Sequence, residues 1–376
     1  MNKFRALAVC LICDCVLTIP LHATTITVSN TNDDGPGSLR QALIDANDGD
    51  TIDATGVSGV ITLATGELLV EKSVTINAAG ADVLAVDGNA SSRVFHIGSG
   101  ERVTISGLTI RNGHDDTIGG GIENEAGATL TITNSTLTSS SAGSVGNPAV
   151  QGGGIRNLGT LTILNTTVSA NAAGGTSGVG GGIYNGGTVT ILNSTVSANT
   201  ASAGGGLQND GPATITNSTF SGNAALAYGG ACFNGGTLHM TNSTLSGNSA
   251  NIGGGILVFG PLQIGTTILN KGDSGGTIGS FGEVTVISLG YNLSSDGAGG
   301  HLTGAGDQIN TDPVLGPLQH NGGPTFTHAL LAGSPAIDAG DPNFTPPPRH
   351  DQRGRGFARV VHGRIDIGSF EVQRRD

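Results

Sequence analysis

The sequence predicts an all-β protein folded as a right-handed parallel β-helix, a solenoid in which each turn of the chain stacks on the turn before it. Three observations predict this fold. The 376 residues include 65 Gly, no Trp and 3% aromatic residues, yet 36% are hydrophobic. A thin apolar column shared between stacked repeats explains such a composition better than an ordinary globular core. A unit of about two dozen residues recurs, and it contains short alternating runs typical of strands.

The repeat begins at a run of glycines. Its copies start at Gly119, Gly152, Gly180, Gly204, Gly229 and Gly253. Successive starts are 33, 28, 24, 25 and 24 residues apart, so the base unit is 24 residues. The extra residues fall just before the next glycine run, and a solenoid tolerates insertions that are confined to one corner. Three short runs per unit predict three strands per turn.

One position of the repeat is apolar in every copy, and we predict that its side chains stack inside the solenoid. The column contains Ile122, Ile155, Ile183, Leu207, Cys232 and Ile256. Cys232 is expected to act there as a small hydrophobic side chain rather than as a reactive thiol.

Asparagine recurs at three positions of the repeat. One column contains Asn124, Asn157, Asn185, Asn209 and Asn234, the second Asn134, Asn165, Asn193, Asn217 and Asn242, and the third Asn171, Asn199, Asn223 and Asn248. Asn tolerates a left-handed φ at a tight bend, and its amide can bond to the next Asn one strand spacing (roughly 4.8 Å) away. We therefore expect a structural ladder that includes Asn165, Asn193, Asn217 and Asn242. Many of these residues begin Asn-Ser-Thr triplets, which resemble glycosylation sequons, but their fixed position favours the structural role.

The two ends of the chain differ from the repeat. Residues 1–23 are predicted to be a signal peptide, with Lys3 and Arg5 before an apolar stretch and a cleavage site that ends at Ala23. Residues 24–50 are predicted to form an N-terminal cap with a short amphipathic helix, because Ser38 and Gln41 fit a capping box. Residues 51–310 are assigned to the β-helix and residues 311–376 to a loop-rich C-terminal cap, expected to close the other end of the solenoid.

Export would change the charge and the cysteine content of the chain. Of 16 basic and 28 acidic residues, cleavage after Ala23 removes two and one, which leaves 14 and 27 and a net charge of −13. This balance argues against nucleic acid or an anionic membrane as partner. Cys232 would be the one remaining cysteine, so no intramolecular disulfide is expected. No later stretch is long and apolar enough to predict a transmembrane segment. We expect an exported protein, extracellular or associated with the cell surface or outer membrane.

Motifs at both ends resemble those of known secreted proteins. The tail sequences DPVLGPLQHNGGPTFTHALLAGSPAIDAG, DQRG and DIGSFE, which start at Asp312, Asp351 and Asp366, resemble the choice-of-anchor Q module of secreted bacterial β-helix proteins. GPGSLRQALIDAN, from Gly35, is similar to the entry segment of the same proteins. The repeats resemble those of polymorphic outer membrane proteins, and Phe220 to Asn223 fits their FxxN motif. These resemblances imply a cell-surface or extracellular role, often adhesion, and imply no catalytic residue.

Parallel β-helices also include pectate lyases and polygalacturonase-like hydrolases, so an enzyme must be considered. Hydrolases need two or three neighbouring carboxylates, and lyases need a cationic base and usually carboxylates that hold Ca²⁺. Between Gly119 and Ile256 the Asp, Glu, Lys and Arg residues are Glu123, Glu125, Arg156 and Asp210. We therefore expect no catalytic residue, metal site or cofactor on the regular turns.

The tail offers further candidates for a metal or catalytic site. They are His320, His328, Asp338, Asp341, His350, Asp351, Arg353, His362 and Asp366. They lack a recognisable ligand spacing, and Asp–Arg pairs that hold a loop-rich cap together are the favoured interpretation. A non-enzymatic adhesion protein, or one that binds an extracellular polysaccharide or a host or cell-surface component, is the favoured function. A polysaccharide lyase or glycosidase and a purely structural surface component remain alternatives.

A binding face is predicted from the alternation of side chains along a strand. The residue after each inward apolar residue must point outward, and this column contains Glu123, Arg156, Tyr184, Gln208, Phe233 and Leu257. It combines charge, amide and aromatic groups, whereas other outward positions are mostly Thr and Ser. Six positions one strand spacing apart span roughly 24 Å, which suits an extended polymer or peptide. We expect Tyr184 and Phe233 to stack on sugar rings and Arg156 to pair with an acidic group of the ligand.

Overall fold

The computed structural model of the protein describes residues 23–144 and 150–373. The chain forms a right-handed parallel β-helix with almost no α-helix, as the sequence predicts. Apart from Ala23, the predicted signal peptide lies outside the described residues. No helix within the described ranges has the length and hydrophobicity of a membrane span.

Three long parallel sheets run along the solenoid, and each regular turn adds one strand to each sheet. Sheet 1 contains Thr25–Thr27, Thr51–Ala54, Thr75–Ala78, Arg102–Ser106, Thr129–Thr133, Thr160–Leu164, Thr188–Leu192, Pro212–Thr216, Thr237–Thr241, Leu262–Gly265 and Val286–Gly290. Sheet 2 contains Gly59–Thr62, Leu84–Asp87, Thr109–Arg111, Thr136–Thr138, Thr167–Ser169, Thr195–Ser197, Thr219–Ser221, Thr244–Asn248, Ile268–Lys271 and Leu293–Ser294. Sheet 3 contains Leu68–Val70, Phe95–Ile97, Ile122–Asn124, Ile155–Asn157, Ile183–Asn185, Leu207–Asn209, Cys232–Asn234, Ile256–Val258 and Ile278–Ser280.

The residues that vary in number between repeats form a smaller fourth sheet at one corner. It contains His114–Asp115, Ser141–Ala142, Ala172–Ala173, Thr200–Ala203 and Ala224–Tyr228. Each strand follows sheet 2 and precedes the glycine run that leads back to sheet 3. The insertions inferred from the repeat spacing therefore lie at one corner.

The core is a column of apolar side chains inside the turns. The predicted inward residues from Ile122 to Ile256 pair in register, and all six are fully buried. Burial raises the pKa of the Cys232 thiol, which keeps it in the unreactive neutral form. The prediction for this column is confirmed.

Two of the three Asn columns form continuous ladders inside the solenoid. In the first, the amide of each Asn donates to the side-chain oxygen of the next, from Asn124 to Asn234, at 2.7–2.8 Å. In the third, the amides from Asn171 to Asn248 are linked at 2.9 Å. The side-chain oxygen of Asn223 also accepts from the backbone N–H of Asn199, and the Asn199 amide also donates to the carbonyl of Val168. These residues satisfy the backbone at corners where ladder bonding between strands is interrupted.

The second Asn column differs from the expected ladder. Asn165, Asn193, Asn217 and Asn242 all have positive φ, between 49° and 56°, so the expectation of a left-handed bend is correct. Among the described residues their amides form isolated links, from Asn165 to Asn134 at 3.3 Å and from Asn217 to Asn193 at 2.7 Å, and the Asn217 amide also donates to the backbone carbonyl of His350 at 3.1 Å. This bend turns the side chains away from the core, and those of Asn217 and Asn242 are buried in contact with the tail. The column serves the backbone conformation rather than a continuous side-chain ladder.

The residue after this Asn supplies a hydroxyl ladder that the sequence reading missed. Within it, the Ser194 hydroxyl accepts from the backbone N–H of Thr166 at 3.1 Å and donates to the carbonyl of Leu192 at 2.7 Å. The same pattern recurs at Ser135, Thr166, Ser218, Ser243 and Thr267. Each position of the Asn-Ser-Thr triplet thus has a structural role: the bend, the buried hydroxyl and the first residue of the next strand.

The glycine runs are required by the closeness of neighbouring turns. Gly180, the first residue of its run, has a φ of +70°, which glycine adopts without strain. A Cβ on the next residue, Gly181, would overlap the carbonyl oxygens of Thr200 and Gly205. Because the glycine runs carry no side chains, neighbouring turns can approach to the strand spacing at this corner.

A helix covers the N-terminal end of the solenoid, as predicted. It spans Leu39–Asp45, and the Ser38 hydroxyl accepts from the backbone N–H of Gln41 at 3.1 Å. The Gln41 side chain bonds to Asp45 rather than completing the capping box. Leu39 and Leu43 are buried against the first turns.

The C-terminal tail is placed differently from the expectation that it closes the far end. Ala298 and Leu302, which precede the tail, fill the last turn of the core. The tail instead folds back and lies along the outer side of sheet 2. It contains an antiparallel hairpin of Leu315–Gln319 and Thr327–Leu330, and its own small core packs on Ile268 and Leu293.

Two tail segments make the polar contacts that hold the tail on sheet 2. The fully buried Gln352 accepts from the hydroxyl of Thr219 at 2.6 Å and donates to that of Thr195 at 2.9 Å. Ser369 lies 2.9 Å from the Thr219 hydroxyl and bonds to that of Thr244. The tail therefore crosses three successive turns from the side.

Replacement of Asn199 by Ala should lower the stability of the solenoid without changing its β-structure. The change leaves the Asn171 backbone N–H and the Val168 carbonyl without their partners, at roughly 1–3 kcal/mol for each stranded group. Urea unfolding followed by circular dichroism measures the effect.

The control is Asn165→Gly, because glycine keeps the positive φ and only a 3.3 Å bond is lost. We expect its midpoint to stay close to that of the wild type. Equal midpoints for Asn199→Ala and wild type would contradict the ladder argument.

Candidate ligand-binding groove

The predicted outward column forms the floor of a groove on sheet 3. Glu123, Arg156, Tyr184, Gln208 and Phe233 are direct neighbours in the parallel register. The register also adds His96, one turn before Glu123. Beyond Phe233 the register continues to Leu257 and Gly279. From His96 to Gly279 the floor spans seven strand spacings, or about 34 Å.

Two rows of residues flank this floor. On one side, the residues that precede the glycine runs pair in parallel from turn to turn: Ile118, Gln151, Val179, Ala203, Tyr228 and Ile252. On the other side lie the residues that follow the sheet 3 strands, among them Glu125, Leu158, Asp210, Phe259 and Phe281. The floor and these two rows are called the outer groove below. At its N-terminal part it contains a pocket of about 340 Å³ bordered by His96, Glu123 and Arg156.

The floor is less exposed than an ordinary solvated face. Glu123 is 3% exposed and Gln208 is 6% exposed, while Arg156, Tyr184 and Phe233 are half-buried. Although these side chains point away from the core, the flanking rows bury them. The outward direction predicted from the sequence is confirmed by the register, but free solvation of the whole column is not found.

Arg156 is already engaged within the protein. Its Nη1 donates to Glu123 Oε1 at 2.6 Å, and its Nε donates to Gln151 Oε1 at 2.8 Å. Burial raises the pKa of Glu123, and the Arg156 charge opposes that shift. Arg156 thus already has a carboxylate partner within the chain, and its pairing with an acidic group of a ligand stays a prediction.

A second ionic network lies one turn earlier. Arg93 is 7% exposed and donates to Glu67 at 2.7 Å and to Asp115 at 2.9 Å. It also donates to the backbone carbonyls of Ile118 and Gly119. Arg93 thus holds the start of the fourth sheet against sheet 3.

His96 joins two carboxylates across the groove. Its Nδ1 lies 3.0 Å from Glu67 Oε1, and its Nε2 lies 2.8 Å from Glu125 Oε1. The bond to Glu67, opposed by burial and aided by Glu125, raises the pKa of His96 above its ordinary value. The same bond to His96 lowers the pKa of Glu67. Both ring nitrogens are therefore occupied by protein groups.

Aromatic side chains form the C-terminal part of the groove. Phe233 stacks on Phe259 with ring centres 5.3 Å apart, and Phe259 contacts Phe281 at 5.6 Å. Tyr228, from the opposite row, meets Phe281 edge-on at 5.7 Å. Phe259 is 49% exposed, Phe281 44% and Tyr228 38%. Tyr228, Phe233, Phe259 and Phe281 are called the aromatic cluster below, and it offers open ring surface to solvent.

The middle of the groove is polar. Gln208 Nε2 donates to Asp210 Oδ1 at 2.7 Å. Burial, and then the nearby charge of Asp210, raises the pKa of the Tyr184 hydroxyl. Asp210 itself is exposed, and no Arg, Lys or His forms an ion pair with it among the described residues. Tyr184, Gln208 and Asp210 connect the ionic networks to the aromatic cluster.

Several of the tail residues considered as site candidates make buried polar contacts within the tail or with sheet 2. Arg353 forms a buried ion pair with Asp351 and lies between the rings of Phe357 and Phe370, with its guanidinium carbon 3.9 Å and 3.7 Å from the ring centres. His328 Nδ1 donates to the Gly316 carbonyl at 2.7 Å, and its Nε2 lies 2.9 Å from the Ser221 hydroxyl. Burial raises the pKa of the Asp366 carboxyl to about 6. These contacts fit the favoured interpretation of a cap held together by buried polar groups.

A larger cavity, of about 470 Å³, lies between sheet 1 and the tail. Its walls include Thr190, Thr216 and Thr241 on one side and Pro347 and His350 on the other. This cavity lies along the contact between sheet 1 and the tail, and neither the ionic networks nor the aromatic cluster borders it. We therefore place the candidate site in the outer groove.

Sequence reasoning missed half of the groove. Glu67, Arg93, His96 and Asp115 belong to early turns whose repeat is too loose to align, but Phe95-His96 follows the same inward-outward order as the later turns. Phe259 and Phe281 follow their sheet 3 strands at the position that is Gly186 or Gly235 in other turns. An alignment of the residues that follow the sheet 3 strands would have placed Phe259 and Phe281 in one row, next to the column that contains Phe233.

Comparison with known proteins supports the fold. Residues 92–270 match the family model described as a right handed beta helix region. A solved structure titled "Crystal structure of pectate lyase Pel9A" is similar over 94% of this chain and 97% of that chain, with a TM-score of 0.50 and 15% sequence identity. No curated protein matches the chain. At this identity the likeness concerns the fold alone.

Replacement of His96 by Gln should lower stability more at acidic than at alkaline pH. A raised folded-state pKa means that the stabilisation is fully present below the ordinary His value of 6.5 and is lost as the pH rises through the folded-state pKa. Urea unfolding of the wild type and the variant at about pH 5.5 and about pH 8.5 tests this.

His239→Gln is the matched control, because His239 is an outward residue of sheet 1 and pairs with no carboxylate among the described residues. Its effect should be similar at both pH values. A His96→Gln effect that is also the same at both values would show that the two carboxylates do not hold a charged imidazole.

Proposed function

We propose that this protein binds an extended polysaccharide along the outer groove, without cleaving it, as an exported or cell-surface adhesion protein. The aromatic cluster is the observation that carries the proposal. Soluble proteins rarely expose a contiguous group of large apolar side chains unless it serves an interaction. Here four rings lie together although aromatic residues make up only 3% of the chain.

The shape of the groove favours a polymer over a small molecule. A floor of about 34 Å, built from the same position of successive turns, offers a row of side chains one strand spacing apart. Open aromatic faces suit the apolar faces of sugar rings, and the polar middle offers hydrogen bonds to hydroxyl groups. An extended glycan presents both kinds of group repeatedly along one direction.

The ionic networks argue for binding rather than catalysis. A general base needs a free atom within reach of the proton that it removes. Both ring nitrogens of His96 face carboxylates, and Arg156 holds Glu123. These groups stabilise the turns and shape the groove.

A glycosidase is the second candidate, because one specific observation favours it. Glu123 and Glu125 border the same pocket, and burial raises the pKa of Glu123. A carboxylic acid with a raised pKa and a second carboxyl group in the same pocket are the pairing that glycoside hydrolysis uses. The ion pairs from Arg156 to Glu123 and from His96 to Glu125 weigh against it.

Replacement of Phe259 or Phe281 by Ala should weaken polysaccharide binding by roughly twofold to tenfold for each ring, because a stacking surface is lost. Depletion assays on insoluble chitin, chitosan and xylan measure this, with thermal unfolding as a check of folding. Phe326→Ala is the matched control, because Phe326 is 49% exposed like Phe259 but belongs to the tail. Binding to none of the three polymers, or binding that all three variants retain, would overturn the proposal.

Purified protein is expected to release neither unsaturated products nor new reducing ends from polygalacturonate, alginate or xylan. Absorbance of unsaturated products and a reducing-end assay measure the two outcomes. Reducing ends that appear with the wild type and vanish in both Glu123→Gln and Glu125→Gln would establish the glycosidase instead.

A further inference from the structure

We infer that the bound glycan carries free amino groups, and that its ammonium groups bind in the middle of the outer groove beside Asp210. This inference rests on the proposed function and specifies its ligand class. It is carried by two unpartnered acceptors, by the charge of the groove and by an open notch next to Asp210.

Two buried oxygen atoms on the groove floor accept no hydrogen bond among the described residues. One is Oε1 of Gln208, and the other is Oε2 of Glu123. The orientation of the Gln208 amide follows from its neighbour, because the Asp210 carboxylate can only accept and so takes the Nε2 end. The remaining oxygen is an acceptor. Buried acceptors without donors cost free energy, and a ligand rich in N–H and O–H donors removes that cost.

The charged side chains of the groove include more carboxylates than cations. Its carboxylates are Glu67, Asp115, Glu123, Glu125 and Asp210, and its cationic side chains are Arg93, Arg156 and His96. Arg93 and Arg156 are paired with these carboxylates and with carbonyl oxygens of the chain, whereas Asp210 is exposed and forms no ion pair among the described residues. The whole chain is also acidic, with a net charge of −12. Such a surface attracts cationic polymers and repels acidic ones.

The notch lies at Gly235, where the lack of a side chain leaves a gap beside Asp210 and Phe233. A Cβ on Gly235 would come within 3.2 Å of Asp210 Oδ1 and 3.5 Å of Phe233 Cε1. Gly235 is exposed, so the space is open to the ligand and is bordered by a carboxylate and an aromatic ring. Tyr184 lies on the other side of Gln208 in the register. A carboxylate flanked by aromatic rings recognises an ammonium group by charge and by cation–π attraction.

These features select among glycans. A polyuronate would place carboxylates beside Asp210 and Glu125. A neutral glycan would stack on the aromatic cluster but leave the Asp210 charge unused. A polymer of amino sugars supplies donors for Gln208 and Glu123 and a cation for Asp210.

Isothermal titration calorimetry with three oligosaccharides of equal length tests the inference: a glucosamine oligomer with free amines, its N-acetylated counterpart and an oligogalacturonate. At a pH where the amines are protonated, we expect the glucosamine oligomer to bind best and its affinity to fall with added salt. Asp210→Asn should weaken its binding several-fold, up to about tenfold, and remove its advantage over the N-acetylated oligomer. Gly235→Ala should weaken it as well, without any change of charge. Asp82→Asn, an exposed acid outside the groove, is the control and should bind like the wild type.

The outcomes separate the inference from the proposed function. Equal binding of the free-amine and N-acetylated oligomers, with a loss in Phe259→Ala, would overturn the inference and leave the polysaccharide proposal standing. Preferred binding of the oligogalacturonate would also overturn it. Binding of none of the three oligomers would count against both.

Discussion

The backbone hydrogen bonds between successive turns impose the constraint on which the rest of this structure depends. They place every residue one strand spacing from the equivalent residue of the next turn, so each position must be compatible with copies of itself. Apolar residues meet this requirement by stacking, Asn by linking amide to amide, and Ser or Thr by accepting from the backbone of the neighbouring turn. Charged residues are compatible with such stacking only when their signs alternate from turn to turn. Along the groove floor His96, Glu123 and Arg156 alternate in this way.

The same constraint explains how much could be predicted from sequence. Because a repeated position has a repeated environment, one well-aligned unit predicts the inward column, two of the Asn ladders and the outward column of sheet 3. The prediction of a ladder at Asn165 to Asn242 was wrong in part, since a recurring Asn can serve either the bend or a side-chain link. The hydroxyl ladder was hidden inside the Asn-Ser-Thr triplet, where the Asn draws attention to glycosylation.

The features that sequence could not provide depend on contacts outside the repeat. Thr167 and Thr195 occupy the same position of sheet 2, yet Thr167 is half-buried and Thr195 is fully buried. The difference is the tail, which covers one turn and not the other, and nothing local to either strand records it. The ionic networks around Arg93 were likewise missed, because they join irregular turns to the first regular one through residues 22–26 positions apart.

The tail also changes how the molecule responds to force and to partial opening. A simple solenoid has only nearest-neighbour contacts, so it can unzip one turn at a time from a free end. Gln352, Ser369 and their neighbours tie the turns of Thr195, Thr219 and Thr244 to one another through a segment more than a hundred residues further along the chain. Those turns must therefore open together, after the tail has detached, whereas the turns before Thr195 retain the stepwise behaviour of an ordinary solenoid. Asp210, Tyr228 and Phe233 belong to the tied turns, and Phe259 and Phe281 belong to the next two turns, whose Ile268 and Leu293 pack on the small core of the tail. The proposed ligand site therefore lies on the part of the solenoid that the tail holds together.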